Sequence, residues 1–116
     1  MTLDPIDFFK SLADDTRLRI LLLIYREQEL CVCELTHAMG ESQPKISRHL
    51  ALLRSCELVA DDRRGQWVYY RLHPGLPQWI VDVIDCTNTA NRSWLKEQVT
   101  RLASMGDRPT RAALCC

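Results

Sequence analysis

A mainly helical domain carrying one β-hairpin is the fold class this sequence predicts, and three observations predict it. Apolar residues recur at helical spacing through the first half, most regularly at Ile46, Leu50 and Leu53. Aromatic and β-branched residues then flank a glycine-containing turn between Leu58 and Leu72. The 116 residues, 47% of them hydrophobic, suffice for one domain with one buried core.

Residues 5–12 read as a short helix with Ile6, Phe8, Phe9 and Leu12 apolar. Asp14 or Asp15 caps a second helix running to about Tyr25. Its apolar residues Leu18, Ile20, Leu21, Leu22, Leu23 and Ile24 cover more than one face, which makes it central. The polar run 26–29 is a turn. A third, short helix spans about Val32 to Met39, and Gly40 suits the left-handed residue just past its end. Ser42 caps a fourth helix, with Pro44 in the first turn, where a missing N–H costs little. Ile46, Leu50 and Leu53 face its core, and Pro44, Lys45, Ser47, Arg48 and Ala51 lie opposite. Two helices joined by a tight glycine turn form a helix-turn-helix.

Leu58-Val59-Ala60 and Trp67-Val68-Tyr69-Tyr70-Arg71-Leu72 are the strands of the hairpin, around a polar turn at 61–66. A hairpin with a basic tip after a helix-turn-helix is the wing of a winged helix. Pro74, Gly75 and Pro77 break the chain, and residues 78–103 follow as one long helix, weakened in its middle by Thr87–Asn91. The domain is expected to span 1–103, with 104–116 a flexible, cysteine-containing tail.

Charge places the binding surface. The net charge is zero, but residues 1–41 hold four Lys/Arg against eight Asp/Glu, while 42–71 hold six against three. Local field rather than total charge guides phosphate binding. The readout candidates on the fourth helix are Gln43, Lys45, Ser47, Arg48 and His49, since residues near a recognition helix's N-terminus reach base edges. Gln pairs with adenine and Arg with guanine. Arg63 and Arg64 on the wing suit phosphate or the minor groove. The expected partner is double-stranded DNA.

No apolar run approaches the roughly 20 residues of a membrane helix, and the first residues lack the basic start of a secretory signal. A cytoplasmic protein without a membrane partner is expected. Its six cysteines then stay reduced, and close spacing points to metal binding or redox chemistry rather than disulfides. Cys31 and Cys33 flank one residue at the start of the third helix. Thiolates there suit a soft ion, and the helix dipole should lower their pKa. On an ideal helix the two side chains diverge by about 200°, so a shared ion should unwind that turn and disturb the recognition helix. Cys56 and Cys86 belong to core or interface. His37, four residues after Cys33, is a spare ligand, and His73 is structural. Asp14/Asp15 and Asp61/Asp62 are caps and turn residues. No nucleophile with its base, phosphate-cradling loop or organic-cofactor fingerprint is present, so no enzyme is expected.

These motifs together resemble the ArsR/SmtB family of bacterial metalloregulators, near its arsenic-responsive ArsR repressors. The resemblance covers roughly residues 4–103 and rests on four stretches: 12–21 (LADDTRLRIL), 29–35 (ELCVCEL), 43–53 (QPKISRHLALL) and 63–72 (RRGQWVYYRL). It implies a homodimeric winged-helix repressor, dimerised through its first and last helices. As(III) or Sb(III), binding as inducer to Cys31 and Cys33, would release it from an operator with half-sites about one DNA turn apart or a multiple of it. Some arsenic-responsive members carry a third cysteine three residues after the second, where this chain has Thr36. Water, His37, Cys115 or Cys116 would complete the site. The zinc ligand pattern of the family's final helix would fall on Asp82, Ile84, Leu95 and Gln98, of which Asp82 alone suits a metal. The alternatives are a thiol-redox-sensing repressor, a cadmium, lead or zinc sensor of the same fold, and a protein-interaction module that uses the winged helix without DNA.

Overall fold

The computed structural model describes residues 3–106. Its elements are α1 (Pro5–Leu12), α2 (Asp15–Glu27), β1 (Leu30–Cys31), α3 (Val32–Met39), α4 (Gln43–Ser55), β2 (Val59–Arg64), β3 (Trp67–Leu72), α5 (Gln78–Ala90) and α6 (Lys96–Ala103), with a 3-10 turn at Ser93–Leu95 before α6.

Side-chain caps set the helix starts. The Asp4 carboxylate accepts the Asp7 N–H at 2.8 Å and opens α1. The Asp14 carboxylate accepts the Arg17 N–H at 2.9 Å and opens α2. That bond, chiefly, holds the Asp14 carboxyl below its ordinary value. Ser42 faces the Lys45 N–H at the start of α4. Gly40, at φ 64°, makes the turn between α3 and α4.

Five consecutive residues of α2, Ile20 to Ile24, are fully buried, which confirms it as the central helix. Phe8, Leu35, Ile46, Leu50, Leu53, Ile80 and Ile84 join them in one core. Each such side chain contributes about 1.5–3 kcal/mol by leaving water. Helix α6 packs on α3, where Arg101 donates to the Ala38 carbonyl at 3.3 Å.

The structure differs from the sequence expectation in three places. First, the hairpin belongs to a three-stranded antiparallel sheet of order β1-β3-β2, in which Leu30 pairs with Tyr70 and Cys31 with Tyr69. Second, the polar run 61–66 is mostly strand, since Asp61 to Arg64 pair with Tyr70 to Trp67. The turn is Gly65-Gln66 alone, with Gly65 at φ 65° as a tight two-residue hairpin requires. Third, the long final helix is broken. Thr87 Oγ1 donates to the Val83 carbonyl at 2.6 Å and Asn91 Nδ2 to the Thr87 carbonyl at 2.8 Å, and the backbone leaves helical geometry at Asn91 (φ −128°). Short polar side chains that bond nearby backbone compete with the helix. Beyond α6, Met105 is buried in the core. The tail expectation from residue 107 onward, with Cys115 and Cys116, lies outside the described residues.

Candidate nucleic-acid interface and thiol site

Cys31 ends β1 and at the same time caps α3. Its backbone is extended (φ −87°, ψ 166°) and it is 2% exposed. Its N–H donates to Glu34 Oε1 at 2.9 Å, while its sulfur sits at the Glu34 amide in the place a cap hydroxyl usually takes. Glu34 is itself buried. Burial pushes the Cys31 thiol up to about 11, with the Glu34 carboxylate adding to the rise against the opposing Glu34 and Cys33 amides. The expected dipole-lowered thiol is therefore corrected at Cys31, because desolvation outweighs the helix start.

Cys33 is the second residue of α3, half-buried and held in a disulfide, which corrects the expectation that all six cysteines stay reduced. The 200° divergence presumed two helical residues, and Cys31 is not one. A shared ion would load the strand–helix junction, and the inference that the first helical turn must unwind does not follow. Both cysteines line an open cleft of about 580 Å³, together with Thr36 and His37 of α3, Gln43 of α4 and Trp67 of β3. His37 is exposed, with Nε2 3.5 Å from Ser104 Oγ. Among the described residues no three His, Cys, Asp or Glu side chains converge as a metal site. Cys56 is half-buried behind α4, 3.4 Å from the Leu53 carbonyl and from Ser11 Oγ. Cys86 is exposed on α5.

The open face of α4 carries Gln43 and Arg48, with Lys45 and Ser47 half-buried at its edges. Gln43 Nε2 donates to Ser47 Oγ at 3.2 Å, and Lys45 pairs with Glu41 at 3.1 Å. His49 stands apart. It flanks the core-facing stripe beside Asp14 and Arg17, its Nδ1 is buried, and burial lowers its pKa. That partial burial sets it apart from Gln43 and Arg48, which are exposed. Leu52, 49% exposed on the same helix, was not anticipated.

The two wing arginines differ. Arg63 is exposed and makes no ion pair among the described residues. Arg64 grips the Glu29 carboxylate with both Nη atoms, at 2.8 and 2.6 Å, and its Nε donates to Asp62 at 2.9 Å. Its guanidinium also lies 4.7 Å from the Tyr69 ring centroid. The bond to Glu29, first of all, raises its pKa above the ordinary value. The side chain expected on phosphate is already neutralised by two carboxylates.

Sequence reasoning missed Glu34, Trp67 and the Glu29–Arg64 pair. The first had a signal, since Cys31-x-x-Glu34 has capping-box spacing. Ile6 (64% exposed) and Phe9 (54%) of α1 and Trp79 (40%) of α5 are open apolar residues, and the Phe9 and Trp79 rings each meet Phe8 edge-on, at 5.0 and 5.3 Å between centroids.

Comparison with known proteins agrees with this geometry. Residues 14–61 match the model of the bacterial regulatory protein arsR family. The chain is 58% identical to the arsenic resistance transcriptional regulator ArsR1 of Pseudomonas putida, over 97% of this chain and 88% of that one. It is 54% identical to the regulator ArsR2 of the same organism, over 97% of each chain. Among solved structures, reduced HlyU from Vibrio cholerae is 32% identical and superposes with a TM-score of 0.64, covering 71% of this chain and 82% of that one. The winged helix built around the Cys31–Cys33 junction is that of a transcriptional regulator, and the chain belongs to the arsR family.

Proposed function

We propose that the chain is a homodimeric repressor that holds operator DNA through α4 and the wing and lets go when As(III), or Sb(III), is taken by Cys31 and Cys33. The observation that carries this reading is the cleft itself. It is lined by both cysteines, by Gln43 at the start of α4 and by Trp67 at the start of β3. The two cysteines and the starts of α4 and β3 are therefore neighbours. The names of the two Pseudomonas putida relatives, both arsenic resistance regulators, support the choice of ion.

Arsenous acid suits two thiols. Once a thiol reductant has opened the disulfide that holds Cys33, two As–O and two S–H bonds break, two As–S bonds form, and two waters leave with no change in the oxidation state of arsenic. The third position keeps hydroxyl or takes a further donor, with His37, which lines the same cleft, as a candidate. The donor pair straddles β1 and α3, so drawing both sulfurs to one atom bears on both elements. A tenfold loss of DNA affinity needs only about 1.4 kcal/mol of such coupling. Dimerisation through α1 and α5 would cover Ile6, Phe9 and Trp79 and set two copies of α4 in successive major grooves.

The test is fluorescence anisotropy on DNA from the chain's own promoter, titrated with arsenite, zinc and peroxide. Wild type is expected to release with arsenite alone, and Cys31→Ser/Cys33→Ser to stay bound. Release that survives the double substitution would move the site to other cysteines. Release by peroxide alone would make the protein a redox sensor.

A further inference from the structure

We propose that Arg64 is a positioning residue for the inducer response rather than a DNA contact: with Glu29 it ties the wing to the strand that carries Cys31. The proposal deepens the arsenite reading above and rests on it. Glu29 directly precedes Leu30-Cys31, the two residues of β1, and Arg64 ends β2. These two strands are not neighbours, because β3 lies between them. Arg64 reaches across β3 to close both ends of the Glu29 carboxylate, at 2.8 and 2.6 Å. The β3 residue it passes over is Tyr69, whose ring lies beneath the guanidinium at 4.7 Å and whose backbone is paired with Cys31. Asp62 fixes the remaining Nε at 2.9 Å.

Cys31 is thus connected to the wing twice, through the Tyr69 ladder pair and through Glu29 and Arg64. An exposed ion pair usually contributes little, but a bidentate arginine held by two carboxylates and a ring is the favourable exception. Three chemical partners leave the Arg64 donors occupied, whereas Arg63 beside it makes no ion pair among the described residues. Arg63 is the wing cation open to phosphate. Movement of Leu30-Cys31 on ligation then pulls the wing tip along with the helix-turn-helix.

The experiment uses the full chain with Glu29→Gln, Arg64→Gln, both together, and Arg63→Gln. DNA dissociation constants are measured with and without arsenite at several salt concentrations, and arsenite binding to free protein is followed by the ultraviolet absorption of As–S bonds. The expected result is that Glu29→Gln and Arg64→Gln each cut the arsenite-induced loss of DNA affinity about fivefold or more, the lower range of allosteric couplings. The double variant should do no more than either single one, and arsenite affinity should stay at the wild-type value. Arg63→Gln should lower the salt slope by about one, and Arg64→Gln should leave it alone. A full arsenite response in Glu29→Gln, or a slope that falls in Arg64→Gln, would overturn the proposal. A wild-type protein that binds arsenite without leaving DNA would instead overturn the repressor reading beneath it.

Discussion

At Cys31 two opposing influences meet, and their balance decides the chemistry of the site. A helix start favours thiolate, while burial favours thiol, and here burial prevails, raising the pKa from 9.0 to about 11. The fold therefore prefers the neutral form. Its contribution to stability is complete below about pH 9, where the unfolded thiol is also protonated, and is lost as pH rises through 11. Urea midpoints measured from pH 7 to 11 should fall more steeply for wild type than for Cys31→Ala, by up to about 2 kcal/mol. An equal fall in both proteins would mean that the thiol is not held neutral by the fold. The residue types were legible in the sequence, but this balance was not. Two cysteines one residue apart say nothing about which of them lies under the protein surface.

Single elements show where local signals suffice. Asp14, Gly40 and Ser42 sit where a helix must begin or end, and the bounds of α2, α3 and α4 followed from them. Strand β1 could not be read that way, because two residues cannot display an alternating pattern. It exists because Tyr69 and Tyr70 offer a ladder edge. The break after α5 was legible as polar weakness at 87–91, while its completion depends on side chains bonding back to the helix. Gly40 carries the sharpest prediction at this scale. A β-carbon there would need left-handed backbone and would lie 3.1 Å from Arg101 Nη1. Gly40→Ala should destabilise the fold by about 1–2 kcal/mol and weaken DNA binding by displacing α4. Chemical unfolding and anisotropy would measure both, and a neutral result would show that the turn tolerates a side chain.

Across the whole molecule, α1 and α5 leave Ile6, Phe9 and Trp79 open to solvent. Exposed clusters of this kind mark association surfaces. Ile6→Glu/Phe9→Glu should shift the protein to monomers in sedimentation and lower operator affinity about tenfold or more, as one of two linked half-sites is lost. A dimer that persists would place the interface elsewhere. The sheet register has a further consequence for portability. Residues 14–61, the span of the family match, include both cysteines and the complete helix-turn-helix. They do not include Tyr69 or Tyr70, on which Leu30 and Cys31 are stitched. Cutting the chain at 61 would leave β1 without its ladder, so chemical reception and DNA reading cannot be excised as one short cassette. Grafting the thiol pair onto another helix-turn-helix would have to bring the wing with it.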